Sequence, residues 1–225
     1  MSLAGQGAIT IWQDVKPQAR DAFFAWHNGE HMPERVGIAG FLRGRRYGAV
    51  QGSPEFFTLY ETDAPEVHTG AAYLERLNHP TEQTRRVAPN MINNVRSLCR
   101  VEWSRGAAMG GLVFTLRFDV GESDHAEMRD LLVRDRLPRL LMRPGVSAAH
   151  LCLADKGASS VKTEEKKARP EAALVPGWVV MVEGTAGREA LERAVADLLD
   201  ERSLTDAGGS ELLRGVYALQ VSLSR

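Results

Sequence analysis

The chain has 225 residues, of which 44% are hydrophobic and 25% charged, with a formal net charge of −1. That length holds one large domain or two small ones, and either can bury a core. A charge so near zero gives no electrostatic reason to expect nucleic acid or an anionic membrane as partner.

The opening MSLAGQGAITIW has neither a basic leader nor a long apolar core, so no export signal is expected. No run approaches the length that spans a bilayer. Cys99 and Cys152 both fall in apolar, strand-like runs and read as buried free thiols, which suits a cytoplasmic location.

In chain order, GAITIWQDV (7–15) reads as a strand and 18–32 as a helix. Strands at 41–50 and 55–62 form a hairpin through QGSP. A helical stretch over 65–77 gives way to irregular chain near NHPTEQTRRVAPN, where Pro80 and Pro89 break helices. A strand at 94–103 and the linker SRGAAMGG follow. The remainder predicts a strand at 112–120, a helix at 124–137, strands at 146–154 and 178–183, a helix at 188–202 and a strand at 216–223. Between its two central strands, residues 156–174 are charged and carry glycine and proline, which predicts a mobile surface loop.

The same order, β-α-β-β-α-β, thus occurs twice. GAITIWQDV and LVFTLRFDV both end in Asp-Val, and Pro33/Pro138 and Gly40/Gly145 share their 105-residue offset. Such coincidences argue for an internal duplication. The expected domains are 1–106 and a degenerate second copy, 107–225. The expected fold class is α+β: two tandem ferredoxin-like repeats packed sheet to sheet. Two facing sheets would close a barrel of about eight strands, with room for one small ligand.

Strand alternation sorts the lining. Ile9 and Ile11 belong under the helices, whereas Thr10, Trp12 and Asp14 face the other way. Trp12, Arg45, Tyr47, Tyr60 and His150 are expected to point into the barrel. The competing reading is a solid core with arginines at its rim.

The stretch from Trp26 to Tyr47 crowds two histidines, two glutamates and four arginines into 22 residues. Its HNGEH matches the H-x-x-E-H zinc signature. His27, Glu30, His31 and Glu34 would share one helical stripe, and imidazoles one turn apart can chelate zinc. Gly29 and Pro33 disrupt that turn, and the repeat offset maps His27 onto Leu132, so no metal is expected. An ion-pair network of His31, Glu34 and Arg35 that pins the helix end accounts for the stripe equally well.

The wider run W-H-x-x-E-H-x-P-E-R, then I-A-G-F-L-R-G-R-R-Y, then F-F-T-L-Y-E-T, resembles the EthD-like branch of the dimeric α+β barrel superfamily over residues 8–62. The second repeat departs from it, with Leu131 and Arg136 in place of Trp26 and His31. The resemblance implies a barrel pocket with His31 at its rim. It does not fix one activity, because the superfamily includes cofactor-free monooxygenases, isomerases, dehydratases and haem enzymes.

Two functions follow as expectations. One is a cofactor-independent isomerase, lyase or monooxygenase acting on a small carbonyl-bearing or aromatic acid. His31 would be its general acid or base, oriented by Glu34 or Glu30. Arg45 would hold a carboxylate or enolate and Tyr47 or Tyr60 would donate a hydrogen bond, with Trp12, Trp26 and His150 completing the pocket. The other is a non-catalytic protein that sequesters a small metabolite. Haem on His150 and zinc are weaker alternatives. A homodimer could form in addition to the intrachain pairing.

Overall fold

The structure is a computed structural model that describes residues 3–225. Its eight strands are β1 (Gly7–Val15), β2 (Phe41–Gly52), β3 (Phe56–Thr62), β4 (Met91–Gly106), β5 (Leu112–Val120), β6 (Val146–Ala154), β7 (Trp178–Gly184) and β8 (Gly209–Ser224). They close an antiparallel barrel in the order β1-β3-β2-β8-β5-β7-β6-β4. Each half supplies a four-stranded sheet in which its first strand lies between its third and fourth. The halves join where β2 pairs with β8 and β4 with β6. Closure leaves no sheet edge for a second copy to complete.

The halves match locally. Gly40 and Gly145 both turn the chain into the second strand with positive φ, +90° and +83°. Asp14 accepts the N–H of Glu55, and Asp119 that of Gly177, each donor standing one residue before the third strand. Asp14 therefore braces a corner and does not line a cavity.

The first helix runs as Arg20–Trp26, a wide π turn at His27–His31, and Met32–Val36. Met32 donates its N–H five residues back, to His27. The second half repeats this at Leu131–Arg136, where Leu137 reaches back to Leu132. The sequence reading stops the first helix at Met32 because of Pro33. The wide turn instead lets the proline take an early position in a fresh segment, where a missing N–H is tolerated.

Two other differences have physical causes. Segment 156–174 is not a bare loop: it forms short helices at Lys156–Ser160 and Glu164–Lys167, and Leu174 bridges to Val95 of β4. It is held down because Thr163 and Glu165 are buried, the latter against Arg35. The stretch expected to be irregular contains a helix at Glu82–Val87, capped by the Thr81 side chain.

The barrel interior is a packed core. Trp12 stacks on Phe57 at 4.8 Å, Tyr47 on Phe57 at 5.6 Å, and Tyr217 meets Phe57 at 5.8 Å. Val179, Met181, Cys99 and Cys152 fill the space around them, both thiols free. One end is ionic: Arg45 lies 3.0 Å from Glu61 and 2.8 Å from Glu183, and Arg43 holds Glu61 through two hydrogen bonds. The expected ligand hollow is thus occupied by the chain's own side chains. Alternation tells which way a residue points, but not whether opposing residues meet.

Candidate functional site

Of the residues expected inside the barrel, Trp12, Arg45, Tyr47 and His150 are there, and all are at most 1% exposed. Arg45 is committed to Glu61 and Glu183. His150 is engaged at both ring nitrogens, Nδ1 with Ser104 at 2.8 Å and Nε2 with Glu183 at 3.3 Å. With both nitrogens occupied and its surroundings packed, His150 does not fit an axial haem ligand. Burial pushes the Glu183 carboxyl up, but the His150 hydrogen bond and Arg45 outweigh it and hold it at about 2.

Tyr60, expected inside as well, does not point into the barrel. It pairs with Ile9 across β1 and β3, so it shares the helix-facing side of the sheet with Ile9 and lies outside the barrel. Gly44 beside it on β2 makes room for the ring, since a Cβ there would lie 2.9 Å from Tyr60.

That outer layer of the first half gathers a different site. The π turn directs both His27 and His31 onto the sheet, with ring centroids 5.7 Å apart and little exposure. Trp26 lies against His31 at 4.3 Å, and its indole N–H donates to Thr84 at 3.1 Å. His27 Nδ1 meets the Arg46 guanidinium at 3.0 Å. His31 Nδ1 and Tyr60 Oη find no hydrogen-bond partner among the described residues. Beside them is a cavity of about 10 Å³, lined by Gln13, His27, His31, Thr58, Tyr60 and Arg169 among others. It has room for about one water-sized group.

Neither glutamate orients His31. Glu34 pairs with Arg35 at 3.0 Å and faces Arg76, while Glu30 accepts from Thr81. The expected His31–Glu34–Arg35 network is therefore only its Glu34–Arg35 half, which Glu165 extends. The residues do not make up a zinc site either. His27 Nδ1 faces a cation, and among the described residues no three His, Cys, Asp or Glu converge as ligands.

Burial, with Arg35 and Arg169 nearby, holds the His31 imidazole well below its ordinary value near 6.5. Burial, with His31 and Arg46, does the same to His27. His68, buried near Arg96, is held at about 4. All three stay neutral when folded but protonate near 6.5 when unfolded. Between those values the unfolded chain binds more protons, so stability is intact above pH 6.5 and falls as the pH drops towards 4. His68 alone accounts for about 3 kcal/mol of the fall. Urea midpoints measured from neutral pH down to about pH 5 should decrease steadily, and a flat profile would contradict the buried, neutral state.

The layer is unusual when set beside its counterpart. At the repeat offset, Gln13 corresponds to Phe118, His27 to Leu132 and Arg35 to Leu140, all packed in the apolar core of the second half. The architecture can therefore be built from apolar residues at these positions. Sequence reasoning missed Gln13, Thr58 and Arg169. The first two share a face with Ile11 and Tyr60, which alternation reveals, whereas nothing local connects Arg169 to His31.

No protein-family profile and no curated protein matches the sequence. Solved structures do. An anthrone oxidase-like protein superimposes with a TM-score of 0.63 at 13% identity, over 100% of this chain and 95% of that one. A proposed monooxygenase from Lactobacillus acidophilus NCFM gives 0.59 at 10% identity, over 97% and 96%. A proposed chlorite dismutase gives 0.59 at 10%, over 96% of each. The chain has the ferredoxin-like dimeric α+β barrel fold. At these identities the likeness establishes the fold alone, and no helix is long and apolar enough to cross a membrane among the described residues.

Proposed function

We propose that the chain is a cofactor-independent enzyme for a small carbonyl-bearing or aromatic acid, with His31 as general acid/base. Its site is the helix–sheet layer of residues 1–106, not the barrel interior. The observation that carries this reading is the coincidence in one layer of an unpartnered His31 Nδ1, an unpartnered Tyr60 Oη, a cavity, and buried polar residues whose counterparts are apolar. Unpartnered atoms also occur inside the barrel, at Trp12 Nε1 and Tyr217 Oη for example, but the His31 cavity does not reach them.

A neutral imidazole can take a proton from an acidic C–H or phenolic O–H, the step that isomerisation, lyase chemistry and oxygenation of electron-rich rings have in common. Tyr60 would donate to the developing oxyanion, and Trp26 would hold the imidazole in place. Substrate entry would require Arg169 and its segment to withdraw, because the cavity holds only about one water-sized group and Arg169 forms part of its wall. Names such as monooxygenase and anthrone oxidase-like among the structural neighbours are compatible with this chemistry.

The paired wide turns and glycine turns support a tandem duplication in which residues 107–225 carry Phe118, Leu132 and Leu140 at the positions of Gln13, His27 and Arg35, and Arg136 at that of His31. The run from Trp26 to Tyr47 supports placement near the EthD-like branch. That neither Glu30 nor Glu34 orients His31 favours a second reading, a protein that sequesters its ligand without chemistry. Incubating hydroxyaromatic and keto acids with the protein in D2O separates the two. The enzyme reading expects exchange at an acidic position that His31→Ala abolishes. Binding without exchange, or exchange indifferent to His31→Ala, contradicts it.

A further inference from the structure

A second concavity lies where the two halves meet on the outer surface, between the helix Ala71–Asn78 and strand β4 of the first half and segment 159–175 of the second. It has a volume of about 580 Å³, within the range of small-molecule sites. Its inner wall carries Arg96, Lys166 and Arg169, and Leu77, Pro170, Ala173 and Val175 supply apolar surface.

The charges here do not balance. Arg96 donates to the Tyr73 hydroxyl at 2.8 Å, and Lys166 to the carbonyls of Ser159 and Val161 at 2.6 and 2.7 Å. Neither has a carboxylate within ion-pair distance among the described residues. The one buried carboxylate, Glu165, is already held by Arg35 and lies 3.6 Å from Arg169. Glu171, at the rim, accepts the Asn93 N–H. Burial pushes Lys166 down to about 8, and the neighbouring Arg96 and Arg169 add to the shift. A chain of net charge −1 thus concentrates three weakly compensated cations beside an apolar surface. An anion placed among them would relieve their mutual repulsion and gain charge-assisted hydrogen bonds.

We propose that this groove binds a small organic anion, with its carboxylate held by Arg96, Lys166 and Arg169 and its apolar body lying on Leu77, Ala173 and Val175. The site stands whether or not His31 is catalytic, although Arg169 borders both cavities.

The test uses 2-naphthoate, 2-naphthol and inorganic phosphate with the full chain, followed by calorimetry. 2-Naphthoate should bind at least tenfold more tightly than 2-naphthol, and phosphate should displace it. Lys166→Met should weaken naphthoate binding about tenfold, and Lys166→Arg should restore it, with thermal midpoints confirming that both variants fold. Equal binding of acid and alcohol, no naphthoate binding at millimolar concentration, or indifference to Lys166→Met would overturn the proposal.

Discussion

Arg45→Ala is expected to lose about 3–5 kcal/mol of folding stability, the cost of breaking a buried ion pair by removing one partner. Arg45 is fully buried between Glu61 and Glu183, and Arg43 compensates only the first. Without Arg45, Glu183 keeps only the Gly110 N–H and His150. The loss is electrostatic and not simply volumetric, so Arg45→Met should be nearly as damaging. Adding Glu183→Gln to Arg45→Met should then recover more than half of it. The pH dependence checks the cause. In the single variant the Glu183 carboxyl loses the part of its downward shift that Arg45 supplies, so as the pH falls the folded variant takes up a proton before folded wild type does. Its deficit relative to wild type should therefore shrink towards about pH 4. Urea denaturation of the three proteins reads all of this, and a double variant no better than Arg45→Met would contradict it.

His31→Ala and His31→Gln are both expected to reduce turnover of an exchanging substrate by a factor of about 10²–10⁴, the usual contribution of a positioned acid/base group. Glutamine keeps a hydrogen-bonding side chain in the layer but cannot accept a proton near neutral pH. Equal losses in the two variants would therefore point to proton transfer and not to packing. Tyr60→Phe gives a complementary signature. It removes a buried hydroxyl without a partner, so folding stability should hold or rise by about 1 kcal/mol, while turnover falls as the oxyanion loses its donor. A purely structural tyrosine would not separate the two readouts in this way.

Much of this layout was legible in the sequence. Apolar periodicity and the paired Asp-Val, Pro and Gly positions were enough to expect two β-α-β-β-α-β halves. Alternation correctly sent Ile9 and Ile11 under the helices and Trp12, Arg45 and Tyr47 inward. The same rule, applied through the Ile9–Tyr60 pair, would have placed Tyr60 under the helices too. Three features could not be read locally. Whether the barrel is hollow depends on how Trp12, Tyr47, Phe57 and Tyr217 meet from four strands. One of the two partners of Arg45 lies 138 positions away in Glu183. Segment 156–174 has the composition of a solvated loop, yet Glu165 and Arg169 tie it to Arg35, Gln13 and Asn94 of the first half. The start of β8 at Gly209 was also missed, because the polar run before Val216 is recruited by pairing with β5, not by its own pattern.

Chemistry in the helix–sheet layer and a barrel that is only a core together make one structural claim. Soaking crystals with phenol, a small aromatic with one hydroxyl, tests this most directly. Density is expected between His31 and Tyr60, with the phenol oxygen in hydrogen-bonding reach of His31 Nδ1 and the Arg169 side chain displaced. Phenol among Trp12, Tyr47 and Tyr217, with the His31 layer unchanged, would contradict it.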